Sequence, residues 1–320
     1  MKILVAMPVN EEHRDVLTMA AQGAEVVFTE ASRVSEEMAK SADIIIGNVA
    51  PRLIKGSTKL KLMQLNSAGT DGYTEAGVLP DQAVLTNATG AYGLAIAEHM
   101  LGMLLCLMKK LDIYSNNMKS GKWEDAGNVT SIWGSKTLVV GLGDIGSEFA
   151  KRMNAMGSSV SAIKRNPIEK PDYIDNMYSI EQLNEALAEA DIVATCLPGT
   201  KETYKLFGKE AFEHMKSGAW LINVGRGGAV DTEALIEALE SGKLAGACLD
   251  VTDPEPLPQD HPIWRTPNVL ITPHVSGGYH LQQTHDRIID IAARNIKHII
   301  NNEQVENIVD MNTGYRKFMS

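Results

Sequence analysis

Three side chains able to hold a carboxylate or move a proton follow one another along the chain. Arg226 stands in Asn223-Val224-Gly225-Arg226-Gly227-Gly228, Glu255 in Asp250-Val251-Thr252-Asp253-Pro254-Glu255-Pro256, and His274 in Thr272-Pro273-His274-Val275-Ser276-Gly277. Arginine offers a rigid two-pronged donor to a carboxylate. Histidine titrates near neutrality, and a neighbouring carboxylate favours the charged form, so the ring holds a proton to give. Reducing a 2-oxo acid needs both, a cation on the substrate and an acid for the nascent alkoxide. Singly, the three read as a surface charge, a loop acid before Pro256 and a strand-end histidine. Together they stand at the carboxyl ends of predicted strands, where open α/β sheets bind ligands, and this favours the chemical reading. The other histidines, including His99, His214, His280 and His285, lack such company and read as structural or solvated.

Upstream, Leu138-Val139-Val140-Gly141-Leu142-Gly143-Asp144-Ile145-Gly146 is a strand run closing in G-x-G-x-x-G, with a helical pattern from Ser147. Gly141 permits the tight turn, Gly143 lets backbone approach a pyrophosphate, and Gly146 lets helix pack on strand. With Asp144 and Ile145 they open a helix whose free N–H groups attract phosphate. An acid about twenty positions on would bind a ribose hydroxyl. The chain instead reads Ala162-Ile163-Lys164-Arg165-Asn166-Pro167. Lys164 and Arg165 would attract a 2′-phosphate, so NADP is the expected cofactor and NAD the alternative.

The elements that must carry these motifs follow from apolar runs. Ile3–Met7, Ile44–Ile46 and Leu62–Leu65 read as buried strands, separated by helical stretches at Glu11–Gln22 and Ser35–Ser41, which predicts a small open α/β unit. One long helix is predicted over Ala95–Met118. A second series follows, with strands at Thr137–Val140, Val160–Ile163, Ile192–Leu197, Trp220–Val224, Gly246–Asp250 and Val269–Thr272, and helices at Ser147–Met156, Ile180–Ala188 and Thr232–Glu240. That strand count suits a complete dinucleotide-binding sheet. A last helix runs from about Gln282 to Ile300 and is expected to pack back on the first domain.

At 320 residues, 44% of them hydrophobic, the chain can fill two cores. Its net charge of −10 opposes binding to a nucleic-acid backbone. Cys106, Cys196 and Cys248 match no metal-ligand spacing and sit in apolar runs. The run Ile3–Met7 is too short for a signal peptide, and the richest apolar run, Met100–Met108, is too short for a membrane span. No membrane association is expected, and a reducing cytoplasm fits best.

Order and surroundings of these motifs resemble the D-isomer-specific 2-hydroxyacid dehydrogenase family over nearly the whole chain, and its glyoxylate/hydroxypyruvate reductase-like, NADP-preferring members in particular. The resemblance implies a Rossmann dinucleotide-binding domain (99–286) inserted into a smaller flavodoxin-like α/β substrate domain (1–98 and 287–320). It implies that Arg226 binds substrate and that Glu255 and His274 form the proton-transfer pair. It places Asp250 near the nicotinamide amide, and Pro198, Thr203, Val224 and Gly277 around the cofactor. Asn66-Ser67-Ala68-Gly69 looks like the family's glycine loop, whose amides, at Ala68 and Gly69, meet the substrate carboxylate. Tyr92 replaces a common asparagine and is expected at the substrate pocket; Trp264 and Gly199 are further departures. Related formate dehydrogenases carry glutamine where this chain has Glu255. A small 2-oxo or 2-hydroxy acid is the expected partner. The resemblance also implies a homodimer, for which the apolar Ala95–Met108 provides surface that a monomer has trouble burying. The alternative is a catalytically weak dinucleotide-sensing protein of the same fold.

Overall fold

The structure, a computed structural model, describes residues 1–165 and 169–317. They form two compact units, Met1–Tyr92 with Tyr279–Ser320, and Gly93–Gly278. The expected boundaries at 98 and 286 fall inside the helices Gly93–Met108 and Gln282–Ile300.

The first unit holds five strands, β1 (Lys2–Ala6), β2 (Glu25–Thr29), β3 (Ile44–Ile46), β4 (Leu62–Gln64) and β5 (Val84–Thr86). All pair parallel in the order β2-β1-β3-β4-β5, the flavodoxin-like arrangement. Leu4, Ile45, Met63 and Leu85 form one face of its core, with Ile54 and Leu60 packed on them. Asn10 and Ser35 accept backbone N–H groups and start the helices Glu11–Ala20 and Glu36–Ser41. The terminal helix Gln282–Ile300 packs on Glu11–Ala20 and on β4. A buried polar seam fixes it there: Gln64 Oε1 accepts from Thr86 Oγ1 at 2.8 Å and from Asn295 Nδ2 at 2.6 Å. Two strands, β2 and β5, were outside the sequence expectation. The first is half-buried along the sheet edge, and the second has only three residues, so neither produces a long apolar run.

The second unit holds β6 (Lys136–Val140), β7 (Ser159–Ile163), β8 (Asn176–Tyr178), β9 (Ile192–Thr195), β10 (Ala219–Asn223), β11 (Leu244–Leu249) and β12 (Val269–Ile271). Their parallel order is β12-β11-β10-β9-β6-β7-β8, so the winding reverses between β6 and β9. This is the Rossmann sheet, and the reversal is where such sheets bind dinucleotides. The seventh strand, β8, is the addition to the six expected; it is short, and none of its residues is fully buried.

The single helix expected over Ala95–Met118 is two, Gly93–Met108 and Leu111–Lys119. Lys110 between them takes φ +56°, the left-handed region, which an α-helix cannot contain. Ile96, Met100, Met103, Leu104 and Leu107 of the first helix are buried, and it packs within its own unit on the helix Asp144–Ala155 and on β11 and β12. Part of its apolar face is therefore occupied within the unit, while Leu94, Leu101 and Leu105 are only half-buried. The exposed apolar side chains nearby are Leu111, Ile113, Met118, Trp123 and Trp133. No helix among the described residues is long and apolar enough to cross a membrane.

Candidate active site

Strand β6 ends at Val140, paired with Ile163 of β7 and with Thr195 of β9. The fingerprint glycines therefore leave the sheet at its switch point. Gly141 takes φ +102°, and a Cβ there would stand 2.9 Å from the Cys196 carbonyl oxygen. At Gly146 a Cβ would meet the Gly141 oxygen at 2.2 Å, so helix and turn could not approach. Gly143 differs: it has ordinary extended angles, and nothing lies within 4 Å of where its Cβ would be. It opens the helix Asp144–Ala155, whose first N–H groups no side chain caps. A helix N-terminus beside open space is what a pyrophosphate needs. The Asp144 carboxylate is used elsewhere, accepting the Gly93 N–H at 3.0 Å and so joining the starts of two helices. Ile145 contributes backbone on the same first turn.

Lys164 and Arg165 follow directly on β7, whose Ile163 carbonyl accepts the Gly141 N–H at 3.0 Å. Both cations thus stand beside the strand that carries the fingerprint. Glu202 has its carboxyl held below the ordinary value, first by the Thr200 hydroxyl, with Arg165 among the charges that help. Asn166 and Pro167 lie outside the described residues.

After β9, the Thr203 hydroxyl donates to the Pro198 carbonyl at 2.7 Å and accepts the Thr200 N–H at 2.9 Å, closing the 198–203 turn. After β10, the buried Asn223 holds the arginine loop at both ends. Its Oδ1 accepts the Gly225 N–H at 3.1 Å, and its Nδ2 donates to the Arg226 carbonyl at 3.0 Å. Val224 is buried between them, its N–H on the Thr195 carbonyl at 3.2 Å. A Cβ on Gly225 would stand 2.2 Å from the Leu197 oxygen, and one on Gly227 1.9 Å from the Thr252 oxygen, so the loop passes against two neighbours at once. Gly199 lies against the Arg226 stem, where a Cβ would come within 3.2 Å of Cγ. The small residue at 199 thus leaves room for the arginine. The guanidinium Nη1 donates to the Gly225 carbonyl at 2.9 Å.

His274 and Glu255 are brought together: Nδ1 lies 2.9 Å from Oε2. Glu255 Oε1 accepts the Thr252 N–H at 3.0 Å, so the carboxylate is fixed from both sides. His274 itself takes φ +51°, rarely adopted by residues other than glycine. Its backbone is held in that form by Asp250, whose carbonyl accepts the His274 N–H at 2.8 Å. The Asp250 carboxylate, 1% exposed, takes up the rest of the loop. Oδ1 accepts from Thr272 Oγ1 at 2.6 Å and from the Val275 N–H at 3.0 Å. Oδ2 accepts from the Ser276 N–H at 3.2 Å and from the Ser276 hydroxyl, just before Gly277. Burial alone would raise this carboxyl, but the Ser276 and Thr272 hydroxyls and the two N–H groups outweigh it and hold it below the usual range. Four donors occupy its oxygens, so the side chain holds the His274 loop together.

In the first unit, Ala68 and Gly69 form a loop after β4. Asn87 Nδ2 donates to the Ala68 carbonyl at 2.8 Å and Ser67 Oγ to the Gly69 carbonyl at 2.7 Å. Their carbonyls are thereby occupied, and their N–H groups enter none of these bonds. Tyr92, 7% exposed, donates its hydroxyl to the Asn66 carbonyl, and burial, with nearby Tyr279, raises its pKa. Trp264, in the second unit, closes its own loop by donating Nε1–H to the Pro258 carbonyl at 2.8 Å.

Sequence reasoning missed the residues that hold these groups, above all Asn223, Thr272 and Ser276. Asn223 carried a signal, since an amide before a glycine–arginine turn can bracket it. Of the two readings of His99, structural or solvated, its contact fits the structural one: Nε2 lies 2.9 Å from Thr272 Oγ1.

A family model described as D-isomer specific 2-hydroxyacid dehydrogenase, NAD binding domain, matches residues 101–276. The D-3-phosphoglycerate dehydrogenase of Archaeoglobus fulgidus is 34% identical over 284 residues, 86% of this chain but only 53% of that protein. Among solved structures, a D-isomer specific 2-hydroxyacid dehydrogenase family protein from Aeromonas salmonicida has a TM-score of 0.86 at 32% identity, covering 97% of this chain and 99% of that one. One from Xanthobacter autotrophicus, in complex with NADPH and MES, has a TM-score of 0.82 at 28% identity, covering 98% and 99%.

Proposed function

This chain belongs to the D-isomer-specific 2-hydroxyacid dehydrogenase family, and we propose that it reduces a small 2-oxo acid to the D-2-hydroxy acid with NADPH. The observation that carries the reading is the Glu255–His274 pair at 2.9 Å, on the same sheet end as Arg226 and the glycine turn. The dinucleotide, when bound, supplies the hydride. Gly143, Ile145 and Gly146 would hold its pyrophosphate with backbone N–H groups on the turn that Gly141 permits, Asp144 by its backbone alone. Pro198, Thr203, Val224 and Gly277 would line its nicotinamide half.

The chain's own residues do the rest. Arg226 pairs with the substrate carboxylate and polarises the adjacent carbonyl. Glu255 accepts only, so the hydrogen between the pair belongs to His274 Nδ1. Nε2 is then the atom that gives a proton to the nascent alkoxide, and in the reverse direction takes it back. Ala68, Gly69 and Tyr92 are the first unit's candidates for substrate recognition, through free N–H groups and a buried phenol. Lys164 and Arg165 favour NADP over NAD through charge-assisted bonds to a 2′-phosphate. The Xanthobacter relative, crystallised with NADPH, supports that choice.

We further propose a homodimer, with the exposed Leu111, Ile113, Met118, Trp123 and Trp133 supplying apolar surface. A monomeric mass in sedimentation at micromolar protein would refute it. The unpaired cysteines suit a reducing cytoplasm.

A screen of glyoxylate, hydroxypyruvate, pyruvate and branched 2-oxo acids against NADPH and NADH, read by reduced-nicotinamide absorbance, tests the function. Turnover with NADPH supports it. Tight NADPH binding without turnover of any of them would favour the dinucleotide-sensing alternative.

A further inference from the structure

Thr272, just beyond β12, has one hydroxyl hydrogen and two close polar neighbours. Its Oγ1 lies 2.6 Å from Asp250 Oδ1 and 2.9 Å from Nε2 of His99, on the helix Gly93–Met108. A carboxylate only accepts, so the hydroxyl hydrogen goes to Asp250. Met103 Sδ, 3.8 Å away, is a far weaker acceptor and does not compete. The Thr272 oxygen must then receive a hydrogen from His99, which fixes that ring with a hydrogen on Nε2. The same Nε2 stands 3.8 Å from Asp250 Oδ1.

We infer that His99 is a positioning residue for His274, acting through Thr272 and the Asp250 carboxylate. The inference rests on the reading of His274 as the proton-transfer residue. Asp250 is the hub of the loop: its two carboxylate oxygens hold Thr272, Val275 and Ser276, and its carbonyl holds the His274 N–H. His274 needs that grip because its backbone is left-handed at φ +51°. The His99 N–H satisfies the Thr272 oxygen and, by polarising the hydroxyl, strengthens the bond it gives Asp250. Without the His99 N–H, the Thr272 oxygen is left unpaired, its bond to the buried carboxylate weakens, and the loop holds the imidazole less firmly against Glu255.

The variants separate a donor from mere bulk. His99→Leu keeps the volume and removes the N–H; His99→Gln restores an N–H at about the reach of Nε2. His99→Leu lowers kcat for 2-oxo acid reduction about tenfold, the effect of one hydrogen bond lost beside a buried group. KM for the oxo acid and Kd for NADPH stay within about twofold, as expected of a residue that acts on His274 and not on a ligand. His99→Gln recovers kcat to within about threefold of wild type. Wild-type kcat in His99→Leu, or equal losses in both variants, would overturn the inference. A long-range nitrogen–proton correlation spectrum of the wild-type protein at about pH 8 tests it without turnover. A hydrogen on His99 Nε2 supports it, and a bare Nε2 overturns it. Lack of any wild-type turnover would instead overturn the proposed function and leave the His99 hydrogen to be judged by the spectrum.

Discussion

His274 Nδ1 and Glu255 Oε2 lie 2.9 Å apart while the other carboxylate oxygen accepts the Thr252 N–H at 3.0 Å. The carboxylate therefore cannot swing away without breaking a backbone bond, and the ring is oriented by a group that is itself held. Nδ1 is committed to that contact. Only Nε2 remains to exchange a proton with a substrate.

Arg226 should not tolerate a change to lysine. An ammonium cannot reproduce the planar fork, and the loop that presents it is fixed by Asn223 and by glycines whose Cβ would clash. Arg226→Lys is expected to lower kcat/KM for the oxo acid by about a hundredfold, the loss of roughly two charge-assisted hydrogen bonds. NADPH affinity, measured by titration, should be nearly unchanged. Near-native kcat/KM would remove Arg226 from the substrate role.

The glycine turn makes two opposite forecasts. Gly146→Ala places a Cβ 2.2 Å from the Gly141 oxygen, so it should destabilise the second unit by about 2 kcal/mol or more in urea unfolding. Gly143→Ala meets nothing within 4 Å and should leave stability unchanged. It should nevertheless weaken NADPH binding about tenfold or more, because the methyl group enters the space proposed for the pyrophosphate. Unaltered NADPH affinity in Gly143→Ala would argue that no phosphate lies there.

Cofactor choice is expected to rest on Arg165 more than on Lys164. One charge-assisted bond to a 2′-phosphate favours NADPH by about ten- to a hundredfold in kcat/KM over NADH. Arg165→Ala should remove most of that ratio and leave the NADH rate unaffected. Equal losses with both cofactors, or a wild-type preference for NADH, would overturn the assignment.

Stability of the first unit should depend on His285. Its ring packs 4.3 Å from that of His13, and Nε2 donates to the Pro8 carbonyl at 2.7 Å. Burial, with His13 beside it, holds the pKa below the ordinary 6.5, although the Pro8 carbonyl and Asp286 oppose this. In the unfolded chain the ring takes a proton near 6.5, and in the folded chain only at lower pH. Above that value both states are neutral and nothing is lost. As pH falls below it, the unfolded state binds the extra proton and stability declines. The urea midpoint should drop between about pH 7.5 and pH 5.5, and drop less in His285→Gln. An equal decline in the variant would place the titration elsewhere.

What the sequence revealed was what is local. The glycine turn, Arg226, Glu255 and His274 all sit in short motifs after apolar strands, so their chemistry and position could be read together. The edge strand β2 and the three-residue β5 and β8 bury too little to mark themselves. The break at Lys110 is a backbone conformation that lysine does not advertise. Partners distant in sequence were illegible for a further reason: His99 and Thr272 are 173 positions apart, and only the packing of a helix on β12 brings them together. The hydrogen bonds of Asp250 were illegible for the same reason, since Thr272, Val275 and Ser276 lie more than twenty positions away.

In the proposed reaction His274, held by Glu255, carries the proton for 2-oxo acid reduction. The direct measurement is kcat for the best oxo acid at saturating NADPH, in wild type and in His274→Gln, with NADPH affinity determined for both. A fall of about 10²–10⁴-fold in kcat is expected, the range for removing a general acid, with cofactor affinity unchanged. A His274→Gln enzyme that keeps kcat within about threefold of wild type would contradict it.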